Sequence, residues 1–268
     1  MNKLLITSGC SFSECITPYA GKGTWPNHLI KMLPDYTHIS YAMGSQGNGL
    51  ISRGIIYGVC EALKTYKPED ILVGVMWSGS NRHDFRCENL KDLNFVRDKV
   101  HNGWIKNPTS FIKKAEQNWV ILNVNWTEQD NVEAETHYRM FHSDIGSSIY
   151  SIEHILRTQY FLKQHNIRYF FTDYMDQNIV LDFKKNNIEI KYLLDLIDKD
   201  QYLPVTSEYS WILDNTKFPH LWTSDDIDKK TKYEHPKYEM HKEFVEQIVY
   251  PWIQEKGYLS TRKGVQLP

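Results

Sequence analysis

Apolar positions along this chain follow two rhythms. The first is the short unbroken run. Leu4-Leu5-Ile6 ends in the small residues Thr7-Ser8-Gly9, and Ile71–Trp77 is apolar or glycine throughout. Runs of this length, bounded by turn residues, predict strands covered on both faces, as in a parallel sheet. Weaker runs at 37–43 and 167–172 predict two more strands. The second rhythm is a spacing of three or four residues. Trp25, Leu29 and Leu33 share one face of a helix that Pro26 can open. Ile51, Ile55, Val59 and Leu63 do the same over 50–66, and Ile149, Ile152, Leu156 and Tyr160 over a helix capped at Ser147-Ser148 and ending at His165. Met240, Phe244, Ile248 and Trp252 mark a last helix over 237–256, with a kink expected at Pro251.

Strand and helix alternate, which predicts an α/β fold with a doubly wound parallel sheet. The alternation fails in two places. Residues 84–146 carry Trp104, Trp119 and Trp126 among many Asn, Asp and Lys. A structureless loop of that length is improbable in a compact domain, so the segment reads as an inserted subdomain or cap within a single domain spanning 1–268. Residues 176–233 hold only short apolar clusters, and no element is predicted there.

Composition narrows the partners. Thirty-one basic and 33 acidic residues leave a net charge of −2, which gives no reason to expect nucleic acid or anionic lipid. No apolar run reaches membrane-spanning length, and the first residues are too short for a signal peptide. Cys10, Cys15, Cys60 and Cys87 show no metal-ligand spacing, so free thiols in a reducing, cytoplasmic setting are expected. Neither a metal nor another cofactor is expected.

Candidate chemistry comes from topology. In an open parallel sheet, ligands bind beyond the carboxyl ends of the strands. Ser11 follows the first strand, Gly44 the second and Asn81 the third. A hydroxyl, backbone N–H groups and a side-chain amide are what acyl transfer requires, namely a nucleophile and an oxyanion hole. His235, ahead of the last helix, can supply the base. Cys10 reads as a buried structural thiol, and His241 as a structural histidine.

These stretches also carry a family resemblance. Gly9-Cys10-Ser11-Phe12 resembles the first block of the SGNH (GDSL-type) hydrolases, with Cys10 where the family has Asp. Ala42-Met43-Gly44-Ser45-Gln46-Gly47-Asn48 resembles the second block, Gly79-Ser80-Asn81 the third, and Glu234-His235-Pro236 the fifth. The likeness covers roughly 1–83, 147–175 and 230–256. It implies a three-layer α/β/α sandwich with a flavodoxin-like sheet, and serine esterase activity. It makes Ser11 the nucleophile, His235 the base, and Ser11, Gly44 (or Gly47) and Asn81 the oxyanion donors. Lys232 stands where the family has an Asp three residues before the histidine, which leaves Glu234, Asp225, Asp226, Asp228 or a backbone carbonyl to orient the base. Arg82 replaces the Asp that often follows the Asn.

Gly47, Asn48, Asp173 and Trp104 are candidate contacts for a small-molecule or carbohydrate ester, with the 84–146 insertion as one wall of the groove. Two other readings compete. One is an inactive binding module on the same scaffold. The other is a nucleotide or phosphate binder built on the glycines 44, 47 and 49, although their spacing is not that of a dinucleotide turn.

Overall fold

The structure, a computed structural model, describes residues 3–15, 23–86, 119–123, 132–175, 187–216 and 235–259. In chain order the elements are β1 (Lys3–Ser8), α1 (Trp25–Lys31), β2 (Tyr36–Ser40), α2 (Asn48–Ala62), β3 (Ile71–Trp77), β4 (Arg82–Arg86), β5 (Trp119–Asn123), α3 (Val132–Met140), α4 (Asp144–Gln164), β6 (Arg168–Asp173), α5 (Ile188–Asp195), α6 (Glu208–Asn215), α7 (Tyr238–Phe244) and α8 (Tyr250–Glu255). The strands β2-β1-β3-β6 form one parallel sheet in that order. The order is compatible with a flavodoxin-like arrangement.

The alternation of side chains along each strand builds two apolar clusters, one on each face. Leu4, Ile6, Val73, Val75, Trp77 and Phe171 pack with Ile51, Ile55 and Val59 of α2 and Ile152 and Ile155 of α4. Leu5, Leu72, Met76 and Phe170 face the other way, onto Trp25 and Leu29 of α1, Ile212 of α6 and Met240 and Phe244 of α7. Helices on both faces explain why β3 is buried at every position. Gly74 makes this second face tight: a Cβ there would lie 2.6 Å from Phe170 Cζ and 2.9 Å from Trp25 Cη2.

Several boundaries differ from the sequence pattern. The second strand stops at Ser40, although backbone hydrogen bonds to the first strand's line continue past it, with Tyr41 N–H donating to the Thr7 carbonyl and Met43 N–H to the Gly9 carbonyl. The fourth helix begins at Asp144, one turn before the expected Ser147-Ser148 cap. Ser143 is its N-cap and accepts from Gly146 N–H. The expected disruption near Pro251 is a π-helical turn over Val245–Val249 between α7 and α8; proline supplies no N–H to the ladder. Helices α5 and α6 were not predicted. Each is short, eight residues, and buries few apolar side chains.

The third strand is followed at once by an antiparallel hairpin, β4 with β5, in the register Arg82↔Asn123 to Arg86↔Trp119. Part of the expected insertion is therefore a hairpin plus α3. Trp104 and Trp126 lie outside the described residues. No helix among the described residues is long and apolar enough to cross a membrane.

Candidate active site

The turn after β1 presents Ser11. Ser13 N–H donates to the Cys10 carbonyl at 2.9 Å, which closes the turn, and Trp25 Nε1 donates to Ser13 Oγ at 2.8 Å, which holds it on the core. Glycine is needed at position 9, since a Cβ there would fall 2.2 Å from Ser13 Oγ. Cys10 points into the core with no exposed surface, while Ser11 keeps 9% exposure. Gln46 braces this turn against the one after β2. Its amide donates to Ser8 Oγ at 3.2 Å, the Gly9 carbonyl at 2.7 Å and the Tyr41 carbonyl at 3.1 Å. Its neighbour Ser45 has φ 60°, a left-handed turn position.

His235 arrives from 224 residues further along the chain and places Nε2 2.7 Å from Ser11 Oγ. It precedes Pro236, which biases it away from helical backbone, so it stands free of α7 at the helix entrance. The Phe12 ring lies 5.2 Å from the imidazole and 5.2 Å from the Tyr174 ring, edge-on to the latter. Glu234 and Asp225, Asp226 and Asp228 lie outside the described residues, as does Lys232. The other predicted histidine, His241, pairs with a carboxylate. Its Nδ1 is 2.6 Å from Glu208 Oε1, with both side chains buried.

The remaining predicted residues separate into two groups. Gly44 belongs with Ser11, whose Cβ is 4.0 Å from where a Gly44 Cβ would stand. Its N–H, however, donates to Glu14 Oε2 at 2.9 Å. Burial pushes the Glu14 carboxyl up to about 7, partly offset by this hydrogen bond. Asn81 lies in the turn into β4. Its carbonyl accepts from Tyr138 Oη at 2.5 Å, and its Oδ1 is buried with no hydrogen-bond partner among the described residues. Arg82 turns inward and links this turn to the one that presents Ser11. Its guanidinium meets Cys10, donates to Ser78 Oγ at 2.9 Å and lies 4.8 Å from the Tyr174 ring centre.

Gly47 and Asn48 have further partners around the N-terminus of α2. Gly47 N–H donates to Asp84 Oδ1 at 2.9 Å, and Leu50 N–H to Asp84 Oδ2 at 2.9 Å. Asp84 is thus the acceptor at the N-terminus of α2. Burial raises its carboxyl to about 6 against the pull of those two N–H groups. Asn48 bonds the Ser78 backbone in both directions, at 2.7 and 2.9 Å, and Ser151 Oγ at 2.6 Å, so its amide ties three elements together. Asp173 is 1% exposed at the end of β6. Gly47 and Asn48 thus carry hydrogen bonds within the fold, and Asn48 also lines the cavity beside the α2 N-terminus.

Two features had no signal in the sequence. A cavity of about 450 Å³ opens beside the α2 N-terminus, with Arg53, Arg82, His83, His137, Tyr150 and His154 in its wall. Ser11, His235, Gly44 and Asn81 do not line it, although Ser80 and Arg82 on either side of Asn81 do. At its edge His83, His137 and His142 come together, each offering a ring nitrogen within 4.8 Å of the others. Burial, reinforced by the neighbouring histidines, lowers His83 to about 4. Their spacing in the chain fits no ligand motif, so the cluster emerges only on folding.

No family model and no curated protein matches this chain.

Proposed function

We propose that the protein is a serine hydrolase of SGNH type that cleaves an ester of a small molecule or carbohydrate. The observation that carries this reading is the 2.7 Å hydrogen bond between Ser11 Oγ and His235 Nε2 at the carboxyl end of the sheet. Nucleophile and base within hydrogen-bond reach are the signature of an activated hydroxyl. Ser11 donates its proton to His235 as Oγ attacks the acyl carbon. The oxyanion that forms is met by backbone N–H groups of Ser11 and Gly44 and by the Asn81 amide, the first two at the turns that Gln46 braces together. His235 returns the proton to the leaving alcohol, and a water deprotonated by His235 then releases the acid from Ser11. Each oxyanion donor is worth about 3–4 kcal/mol to the transition state.

One observation favours a second reading, an inactive binding module. Glu14 occupies the Gly44 N–H that the oxyanion needs. The phosphate-binder alternative loses ground, because Asp84 takes the Gly47 and Leu50 N–H groups at the helix N-terminus where a phosphate would bind. Turnover of 4-nitrophenyl acetate separates the hydrolase from the binding module. The hydrolase reading expects measurable kcat/KM in the wild type and a loss of at least about a thousandfold in Ser11→Ala. A wild type no faster than buffer, or Ser11→Ala equal to wild type, would sink it.

A further inference from the structure

The histidine cluster has the geometry of a metal site. His83 Nε2 and His142 Nδ1 lie 3.3 Å apart. Tetrahedral zinc with Zn–N bonds of about 2.0–2.1 Å sets neighbouring ligand atoms about 3.3–3.4 Å apart. Ser147 Oγ stands 3.2 Å from the first nitrogen and 3.0 Å from the second, at another corner of such a tetrahedron. The other side of His142 is prepared as well: its Nε2 lies 3.1 Å from Asp144 Oδ1. A carboxylate there accepts a hydrogen bond from the Nε2–H and leaves the Nδ1 lone pair for the cluster, as outer carboxylates do for metal-binding histidines. His137 Nε2 is buried with no hydrogen-bond partner among the described residues. A hydrogen-bonded network centred on Ser147 accounts for His83 and His142 but leaves His137 unexplained.

We propose that His83, His137 and His142 bind one divalent transition-metal ion of the zinc class. All three ligands are imidazoles, which suit zinc and its neighbours and not magnesium or calcium. The fourth corner is filled by the Ser147 hydroxyl or by a water held on it, and it faces the cavity whose wall includes His83, His137 and Ser147. The ion joins three elements. His83 is in β4, His137 in α3, and His142 in the turn into α4. Because His83 lies two residues after Asn81 and Tyr138 already holds the Asn81 carbonyl, the ion fixes the base of the hairpin that follows β3. Metal binding is independent of the hydrolase reading and stands or falls by itself.

The test is calorimetric titration of zinc chloride into the full chain after treatment with EDTA and dialysis. One equivalent is expected to bind. Losing even an outer partner of a ligand costs 10–100-fold in affinity, so His83→Ala, His137→Ala and His142→Ala are each expected to weaken binding by at least about a hundredfold, and Asp144→Ala by about tenfold. His165→Ala, at the far end of α4, is expected to bind as the wild type does. X-ray absorption of the zinc-loaded wild type needs no variant and is expected to show three imidazole scatterers at about 2.0–2.1 Å. Absence of zinc binding, affinity unchanged in the three histidine variants, or a zinc shell without imidazole would each overturn the proposal.

Discussion

At the scale of single residues, the decisive contact besides Ser11–His235 is the one Glu14 makes. Its carboxyl holds the Gly44 N–H at 2.9 Å. Under the hydrolase proposal, substrate must displace it for that donor to reach an oxyanion. Glu14→Ala should therefore raise kcat/KM for an aryl acetate, up to about tenfold, which is ~1.4 kcal/mol and within the net range of one hydrogen bond. A fall instead would mean that Glu14 supports the turn more than it obstructs the site. The same carboxyl makes stability depend on pH. Its folded pKa is raised to about 7 from the ordinary 4.5, so the folded state binds the proton more tightly. Stability from this group is then highest below about 4.5, falls as pH rises toward 7 and is level above it. Urea unfolding at pH 5 and pH 8 should show a smaller difference in Glu14→Gln than in the wild type.

That Ser11, Gly44 and His235 come together was legible in the sequence, because each sits beside a strand end or a helix start that the apolar pattern marks. Glu14 and Gln46 were not, since a polar side chain in a loop gives no sign of which distant backbone group it will meet. Gly47 and Gly44 could not be told apart by spacing. The structure separates them by partner: Gly47 N–H is spent on Asp84, while Gly44 stays beside Ser11.

At the scale of elements, the N-terminus of α2 is organised by a residue from another element. Gly47, its N-cap, has no side chain to cap with, and Asp84 of β4 accepts from both Gly47 and Leu50. A Cβ at Gly47 would come within 2.5 Å of the Arg82 carbonyl, so glycine is required for the hairpin to approach. Asp84→Ala should cost about 1–2 kcal/mol in urea unfolding, and Asp84→Asn less, as for other helix caps. Equal stability of Ala and wild type would show that the N–H groups find other acceptors. The strands β1, β3 and β6 and the helices α1, α2 and α4 could be read from periodicity because each buries a continuous face, whereas β2 shows only a half-exposed alternation. β4 and β5 could not. They belong to a two-stranded hairpin outside the main sheet, where half-exposed positions such as Phe85 blur the alternation. Asp84 docks the start of this segment at the carboxyl end of the sheet, the end that carries Ser11, as a substrate-groove wall would require.

At the scale of the whole molecule, His235 stands at the entrance of the last helical unit, and that unit is anchored by a buried pair. His241 of α7 meets Glu208 of α6 at 2.6 Å, with side-chain exposures of 1% and 0%. Burial raises the Glu208 carboxyl, and His241 partly counters it. Removing one member leaves the other buried without its partner. His241→Ala should cost about 3–5 kcal/mol, and the apolar double replacement Glu208→Leu/His241→Phe less than that. Urea unfolding of the two variants checks the order; a double variant less stable than the single would reverse it.

Whether that anchored unit creates a nucleophile at Ser11 is open to one direct measurement. The protein is incubated with a fluorophosphonate and the adduct is located by peptide mass spectrometry. A single adduct on Ser11 is predicted in the wild type, strongly reduced in His235→Ala and unaffected in His165→Ala. No adduct, an adduct elsewhere, or labelling of Ser11 that persists without His235 would contradict the Ser11–His235 pair as the working centre of this protein.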